Sequence, residues 1–282
     1  MMPGTLTLVG TPIGNLGDFS PRARRALEEA DFIAAEDTRV TLRLLNYFGI
    51  KKPLVSYFEH NKYQSGDKIL QRILAGENCA LVTDAGMPAV SDPGEELVAL
   101  CAREGVAVTA VPGPSAVVTA VALSALPAGR FTFEGFLSTS GRSRAEHLEE
   151  LKGERRTMVF YEAPHKIAKT LADLAAALGA GREVSLCREL TKMHEEVIRT
   201  TLGEAAERYA AEPPRGEFVL IVEGAAEAVD PDALDDRMAR ALDAVRARMA
   251  AGETRKDAVK MVSAELGVKK NALYQLALDA QD

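Results

Sequence analysis

The segment from Leu81 to Asp92, LVTDAGMPAVSD, combines residue types that could bind a small polar ligand. It continues a short apolar run, as a loop does at the carboxyl end of a strand, where open α/β sheets bind their ligands. Gly86 would let a ligand approach the backbone, and Ser91 and Asp92 could bond hydroxyl or ammonium groups. We therefore predict that residues 84–92 form a ligand loop, although such turns also occur where a chain merely reverses direction.

Three further polar loops follow or join apolar runs. They are GTPIGNLGD at 10–18 (the first loop), AEDTR at 35–39 and VPGPSA at 111–116 (the PGP loop). Loops of this kind at several strand ends could line one cleft. The first loop is not a dinucleotide fingerprint, because a motif starting at Gly10 needs glycines where this chain has Pro12 and Asn15.

Alternating apolar runs and helical patterns would position these loops. The runs lie at 5–9, 32–35, 54–57, 79–83 and 106–111, and the helical patterns lie at 21–30, 38–48, 65–76 and 93–104. This alternation is typical of a parallel sheet. Ser20 followed by Pro21 predicts the N-cap and the first position of the first helix.

A second α/β block is predicted after a junction between Ser115 and Pro127. Its strand candidates are 131–136, 157–161, 184–188, 196–201 and 217–223, and its helix candidates lie near 143–152, 164–178 and 203–211. The runs at 184–188 and 196–201 are too close for a crossover helix, which predicts antiparallel pairing.

Residues 224–233 have the small, acidic composition of a linker, and the rest of the chain has helical patterns. Gly267 is predicted to be the turn of a helix-turn-helix-like unit. Its expected apolar stripe consists of Ala258, Val262, Leu266, Val268, Leu273 and Leu276. The predicted domains are therefore 1–114, 115–225 and 234–282. The sequence does not decide whether the last of these domains, 234–282, contacts RNA or packs against the rest of the protein.

The composition narrows the class of protein. With 282 residues, of which 47% are hydrophobic, the chain can fill two medium domains and an appendage. No apolar run approaches the roughly 20 residues of a membrane span, and the N-terminus does not resemble a signal peptide, so we expect a cytoplasmic protein without membrane contact. Cys79, Cys101 and Cys187 are expected to be reduced core thiols. The scattered histidines predict no metal site.

Nine motifs occur in order along nearly the whole chain: GTPIGNL, AEDTR, SYFEHN, TDAGMPAVSDPG, VPGPSA, FEGF, FYEAPHK, RELTKMHEE and RGEFVL. With them the chain resembles the tetrapyrrole-methylase superfamily (class III methyltransferases), whose members use S-adenosylmethionine. AEDTR, YEAPH and RELTK make it similar to the bacterial branch that methylates the 2'-hydroxyl of a decoding-centre cytidine in 16S ribosomal RNA.

The resemblance implies an α/β fold of two unlike domains with the cofactor, S-adenosyl-L-methionine, in the cleft between them, and a small C-terminal helical module. It also implies a homodimer and 16S rRNA, within the small ribosomal subunit, as the partner. Cofactor contacts carry over to Ile13, Gly86, Met87, Val90, Ser115, Ala116, Tyr161, Gly216 and Glu217. Many superfamily members have Gly-Asp-Pro where this chain has Gly86-Met87-Pro88, which shifts polar contacts to Asp84, Ser91 or Asp92.

A ribose hydroxyl is a poor nucleophile, so a nearby group should accept or steer its proton. The catalytic candidates are Glu36, Asp37, Asp92 and Lys192, with Glu162 beside His165 and Glu195 near Lys192 as further possibilities. The sequence does not choose among them. Each carboxylate could instead be a helix cap or an ion-pair partner.

A net charge of −7 argues against a nucleic-acid substrate, unless basic residues gather locally. Clusters such as 22–25, 142–144, 155–156 and 269–270 could build a basic patch. The predicted RNA contacts are Arg24, Arg39, His165, Arg188, Lys269 and Lys270. His165 could equally cap a helix, and Arg39, Arg188 and Lys192 could instead pair with neighbouring glutamates.

Two other functions remain compatible with the sequence. One is a methylase of the same superfamily that acts on a small macrocycle such as a corrin precursor. The other is a catalytically silent module that binds S-adenosylmethionine or RNA. The C-terminal helical unit and the AEDTR and RELTK motifs favour the RNA enzyme over the macrocycle methylase. The intact loops argue against the silent module.

Overall fold

The structure, a computed structural model, describes residues 2–212, 214–226 and 231–279. The chain divides into two compact units, Met1–Ala225 and Ala226–Asp282. Among the described residues, the first unit contains two five-stranded sheets and the second contains only helices. The predicted α/β fold with a C-terminal helical module is confirmed. The domain boundary at residues 114 and 115 stays a prediction.

The first sheet is parallel throughout, as the alternating patterns predict. Its strands are β1 Thr5–Val9, β2 Phe32–Ala35, β3 Leu54–Ser56, β4 Cys79–Val82 and β5 Ala107–Val111, in the order β3-β2-β4-β1-β5. The helices that connect them are α1 Pro21–Glu29, α2 Thr38–Phe48, α3 Lys62–Leu74 and α4 Glu95–Arg103. Helix α1 starts where predicted, and Ser20 Oγ accepts a hydrogen bond of 3.0 Å from the Ala23 amide.

Helices cover both faces of this sheet, which explains why the inner strands β2 (FIAA) and β4 (CALV) are apolar at consecutive positions. Phe32 and Leu81 pack on one face with residues of α3 and α4. Ile33 and Val82 pack on the other face with residues of α1 and α2. With β2 and β4 fully buried, polar side chains gather in the loops at the carboxyl ends of the strands.

The second sheet is mixed. Its strands are β6 Phe131–Gly135, β7 Thr157–Glu162, β8 Glu183–Arg188, β9 Glu196–Thr201 and β10 Phe218–Val222, in the order β6-β7-β10-β8-β9. Strands β6 and β7 are parallel, and the other pairs are antiparallel, including the predicted β8–β9 pair. Its helices are α5 Ala116–Leu123, α6 Gly141–Leu151, α7 Ile167–Leu178 and α8 Leu202–Ala211.

Helix α5 lies in the segment that the sequence presents only as a junction. Its sequence, AVVTAVAL, is rich in β-branched residues and has no apolar stripe, so helical periodicity could not reveal it. Val117, Ala120 and Val121 are buried against Val159 and Ile221 of the second sheet. Tertiary packing, rather than local propensity, therefore accounts for this helix.

One arginine assigned by sequence to a basic surface cluster is in fact buried. Arg144 is 8% exposed, and its guanidinium donates hydrogen bonds to Asp173 (2.7 Å), Thr170 (3.0 Å) and the Ser138 carbonyl (3.1 Å). Thr170 in turn donates to Glu162 at 2.5 Å. Arg144 therefore ties α6 to α7 and is not available to an RNA phosphate.

The C-terminal unit consists, in its described part, of α9 Pro231–Ala250, α10 Arg255–Leu266 and α11 Lys270–Asp279. Gly267 ends α10 in the left-handed conformation with a φ of 63°, as the predicted turn requires. Val245, Val262 and Leu273 lie in its core. Leu266 and Leu276, assigned by sequence to the buried stripe, are instead 37% and 39% exposed. Part of the predicted linker, residues 227–230, lies outside the described residues.

Two predicted absences concern cysteine chemistry and the membrane. Cys79, Cys101 and Cys187 are buried free thiols, as expected. In the described part of the chain, no helix combines the length and the apolar character needed to cross a membrane.

Candidate active site

Backbone hydrogen bonds join the first loop to the ligand loop. The Thr11 amide donates to the Gly86 carbonyl at 2.9 Å, and the Gly86 amide donates to the Thr11 carbonyl at 3.1 Å. Thr11 Oγ1 also donates to the Thr83 carbonyl at 3.2 Å. These bonds connect the ends of β1 and β4, which are neighbours in the sheet.

The PGP loop approaches the same point. A Cβ placed on Gly10 would lie 2.7 Å from Gly113 Cα and 2.7 Å from Met87 Sδ. No side chain fits at Gly10 without displacing backbone, so glycine is required for this close approach. Three loops that are far apart in sequence therefore meet at the carboxyl ends of the neighbouring strands β4, β1 and β5.

The ligand loop has an unusual backbone. Ala89 and Ser91 have positive φ values of 68° and 61°, a conformation that costs free energy for residues other than glycine. The loop reaches the second sheet, because a Cβ placed on Gly135 at the end of β6 would lie 3.5 Å from Ser91 Oγ. The two sheets of the first unit thus approach each other at this loop.

The AEDTR segment contributes carboxylates to the same end of the first sheet. The Asp37 amide donates to Asp84 Oδ1 at 3.1 Å, and the Asp84 amide donates to Glu36 Oε2 at 3.4 Å. Burial raises the pKa of Glu36 and that of Asp84. The predicted catalytic residue Glu36 and the predicted cofactor contact Asp84 therefore lie together.

Asp37 has a structural role. Its side chain caps α2 by accepting a 2.8 Å hydrogen bond from the Arg39 amide, and it pairs with the Arg39 guanidinium at 2.6 Å. Hydrogen bonds from the Arg39 side chain and backbone lower the pKa of Asp37 to about 2. A carboxylate with so low a pKa is a weak proton acceptor at neutral pH.

Asp92 is in a different environment. Burial raises the pKa of Asp92 to about 6, and the negative charges of Glu36 and Asp84 add to the increase. Asp92 also lies near Tyr161, because its charge contributes to the raised pKa of that phenol, after burial. Among the predicted proton acceptors, Asp92 thus has a pKa near the operating pH of an enzyme.

Lys192 connects the second sheet to the first loop. Its Nζ donates to Glu189 Oε1 and to Glu217 Oε2, both at 2.9 Å, and the Glu217 amide donates to Glu189 Oε1 at 3.0 Å. Burial alone would lower the pKa of Lys192, but the hydrogen bonds to Glu189 and Glu217 raise it overall. Lys192 is therefore positively charged at neutral pH and is held in place by two glutamates, so it is not a proton acceptor.

A cavity of about 500 Å³ lies between the first loop, residues 83–85 and α2. Of the predicted site residues, Ile13, Asp84, Lys192 and Glu217 line it. Ile13, Ala116 and Tyr161 pack against one apolar cluster of the second sheet. Ser115 is the N-cap residue of α5, and Gly216 lies against Glu189. Val90 is exposed.

One group of residues at the site was missed from the sequence. One face of α2 lines the cavity with Val40, Thr41, Arg43, Leu44 and Tyr47. Their spacing is that of one helical face, which is a signal that the sequence does contain. The pairing of Lys192 with Glu189, three residues before it, is one of the alternatives that the sequence offered, and the structure bears it out.

The predicted RNA-contact residues are dispersed. Arg24 pairs with Glu28 on α1 at 2.8 Å, and Arg188 pairs with Glu196 at 3.3 Å. Arg39 has a side chain that is 87% exposed beside the carboxylates, despite its pairing with Asp37. His165 is exposed, and the N-cap position of α7 belongs to Lys166.

The remaining predictions concern the C-terminal unit, metal ions and Glu162. Lys269 and Lys270 are exposed at the start of α11 in that unit. Glu162 is buried and accepts hydrogen bonds from the Ala163 amide and from Thr170. Among the described residues, no cluster of His, Cys, Asp or Glu has the arrangement of a metal site.

Comparison with known proteins identifies the family. The family model for tetrapyrrole (corrin/porphyrin) methylases matches residues 5–206. "Ribosomal RNA small subunit methyltransferase I" of Synechocystis sp. is 44% identical over 278 residues, 99% of each chain. The protein of the same name from Halalkalibacterium halodurans is 48% identical over 273 residues, 97% of this chain and 94% of that one.

A solved structure shares the fold. Uroporphyrin-III C-methyltransferase from Thermus thermophilus, in complex with S-adenosylhomocysteine, superposes with a TM-score of 0.56 at 20% identity, covering 78% of this chain and 97% of that chain. The family model and the two relatives cover most of the sequence, including the loops that meet at the carboxyl ends of the first sheet. The chain therefore belongs to the tetrapyrrole (corrin/porphyrin) methylase family.

Proposed function

We propose that this methyltransferase transfers a methyl group to the 2'-hydroxyl of a cytidine ribose in the decoding centre of 16S ribosomal RNA. The relatives named as ribosomal RNA small subunit methyltransferase I support the substrate class, because they align with nearly the whole chain. The observation that carries the ribose chemistry is Asp92, the last residue of the ligand loop, a carboxylate with a pKa of about 6 near Tyr161.

The cofactor is S-adenosyl-L-methionine, which supplies an electrophilic methyl group. The residues present fit such a group. Gly10 and Gly113 lie close together and have no side chains, so the backbone of both loops can be approached by a ligand. The adjoining cavity is lined by both polar and apolar residues. The residues that would hold the cofactor are Ile13, Asp84, Gly86, Met87, Val90, Ser91, Ser115, Ala116, Tyr161, Gly216 and Glu217.

Asp92 is the residue that accepts the ribose proton in this proposal. Its pKa of about 6 leaves it mostly ionised at neutral pH, yet basic enough to take up a proton as the hydroxyl attacks. Asp37 is a weaker candidate because its pKa is about 2. Glu36, whose pKa burial also raises, adds negative charge beside Asp92.

The basic residues position the RNA rather than take part in proton transfer. Lys192 is held by Glu189 and Glu217 at the cavity wall, where it can contact a phosphate without losing its proton. Arg39 is exposed beside the ligand loop. Arg24, His165, Arg188, Lys269 and Lys270 remain proposed phosphate contacts. We further propose that the protein is a homodimer, that it is located in the cytoplasm, and that it acts on the small ribosomal subunit.

Transfer of labelled methyl to small ribosomal subunits that lack the native modification tests the proposal. The RNA is digested with nuclease and the nucleosides are identified by mass spectrometry. We expect 2'-O-methylcytidine. Label on a base would retain the RNA methyltransferase and reject the ribose chemistry. If the protein binds S-adenosylmethionine but transfers no label, the substrate is not this RNA, and a macrocycle or silent-module function replaces it.

A further inference from the structure

An exposed aromatic side chain stands beside the cleft, and the chemistry described above does not use it. Phe136, which directly follows β6, is 57% exposed. Its ring centroid is 5.7 Å from that of Tyr161, and the ring of Phe133 lies 5.0 Å from Tyr161. Three aromatic rings therefore form a contiguous group, of which Phe136 is the exposed member.

The backbone of β6 sets the position of Phe136. The pairing of β6 with β7 is interrupted by a bulge between Phe133 and Gly135, and Gly135 has a φ of 63°. A bulge redirects the side chains that follow it, and such bulges are frequent next to active sites. The neighbours Phe133 and Leu137 pack against the cores on opposite faces of the sheet, whereas Phe136 is left outside both.

The same turn brings Phe136 close to the proposed proton acceptor. Ser91 Oγ lies 3.5 Å from the position of a Cβ on the adjacent Gly135, and Asp92 follows Ser91 in the chain. The charge of Asp92 acts on Tyr161, whose ring contacts Phe136. An exposed aromatic ring and a carboxylate therefore both lie next to Tyr161, so a base could stack on the ring while its ribose faces the carboxylate.

We propose that Phe136 is the platform on which the base of the target nucleotide stacks, with the ribose directed towards Asp92. This inference rests on the proposed function. Proteins that recognise unpaired RNA bases commonly stack them on aromatic side chains. Stacking is tolerant of base identity, so Phe136 contributes affinity and orientation rather than the choice of cytidine.

Steady-state methyl transfer to small ribosomal subunits, at saturating S-adenosylmethionine, tests the platform in the full-length protein. We expect Phe136→Ala to lower kcat/KM for the subunits by about 5- to 150-fold, the range of one base–aromatic stack. Phe136→Tyr, which retains a ring, should stay within about threefold of the wild type. A parallel calorimetric titration with S-adenosylmethionine should give unchanged Kd values.

Leu42→Ala is the matched control, because Leu42 is also a large exposed apolar side chain, at 49%, and does not line the cavity. It should leave kcat/KM unchanged. Wild-type kcat/KM for Phe136→Ala would overturn the inference and leave the proposed function intact. A higher Kd of Phe136→Ala for S-adenosylmethionine would overturn the inference too, because it would indicate that the Phe136 ring contacts the adenine of the cofactor. If the wild type itself transfers no methyl to the subunits, the proposed function fails, and the inference with it.

Discussion

The stem of Lys192 occupies the space that a side chain at Gly14 would need. A Cβ placed on Gly14 would lie 2.5 Å from Lys192 Cγ and 3.1 Å from Lys192 Cε, and Gly14 has a φ of 152°. The first loop and the RELTK segment therefore pack directly against each other in the wall of the cavity. Because Lys192 Nζ is held by two glutamates, it cannot move aside without breaking their ion pairs.

We expect Gly14→Ala to lower methyl transfer at least tenfold, because the added methyl group displaces Lys192 from the cavity wall. Gly105→Ala is a suitable control. Gly105 also has a positive φ, 70°, but a Cβ there would meet nothing within 4 Å. Both variants should lose about 1 kcal/mol or more of stability from backbone strain. Equal activity of the two variants would show that the contact with Lys192 has no functional consequence.

Asp92 should impose an acid limb on the pH profile. Its carboxylate accepts a proton only when ionised, and its pKa in the free protein is raised to about 6, so kcat/KM should fall as the pH drops through that value. Asp92→Asn should reduce kcat by about 10²- to 10⁴-fold, the usual contribution of a general base. It should also remove the limb near pH 6 from the residual activity. Retention of that limb in Asp92→Asn would assign it to another group.

The same substitution should increase stability at high pH. The pKa of Asp92 is higher in the folded protein than its ordinary value of 3.8, so folding is favoured when the group is protonated, and that stability is lost as the pH rises through about 6. Asp92→Asn removes the cost of the buried charge. Its Tm should therefore exceed that of the wild type at pH 8, and the difference should shrink towards pH 4. A lower Tm at pH 8 would mean that the charge is better compensated than its surroundings indicate.

Glu189 should act as a positioning residue for Lys192. Glu189→Gln keeps an acceptor for the Glu217 amide but removes the negative charge beside Lys192 Nζ. We expect KM for the ribosomal subunits to rise several-fold, with a smaller change in kcat, because the lysine positions RNA in the proposed mechanism. Glu154→Gln is the control, since it also weakens an ion pair, that with Arg156 at 2.6 Å. This pair lies just before the first residue of β7, whereas the site residue Tyr161 lies near the last. A change confined to kcat would instead place Lys192 in the chemical step.

The sequence predicted those parts of the fold and site that depend on local patterns. The parallel strands, the cap at Ser20 and the turn at Gly267 all follow from periodicity and from single-residue conformational preferences. Helix α5 did not, because its burial against the second sheet is a tertiary property. For the same reason the sequence could not rank Asp37 against Asp92. Both are carboxylates in polar loops, and only their surroundings, an arginine in one case and burial in the other, separate their pKa values.

Arg144 shows the same dependence on burial, and it gives a test that separates structure from RNA binding. Arg144→Met should destabilise the fold by about 3 kcal/mol or more, because it leaves Asp173 and Thr170 without their partner in a largely buried network. Arg142, two residues earlier, pairs with Glu146 but has a side chain that is 92% exposed. Arg142→Met should change stability by less than about 0.5 kcal/mol.

Urea unfolding gives the stabilities, and the salt dependence of binding to small ribosomal subunits gives the RNA contribution. A residue that contacts a phosphate reduces the slope of log K against log salt by about one when it is neutralised. We expect no such reduction for Arg144→Met, measured at a temperature where the variant is folded, since its guanidinium faces the protein interior. A reduced slope for Arg144→Met would place that arginine on the RNA after all. It would also mean that the buried network opens when the subunit binds.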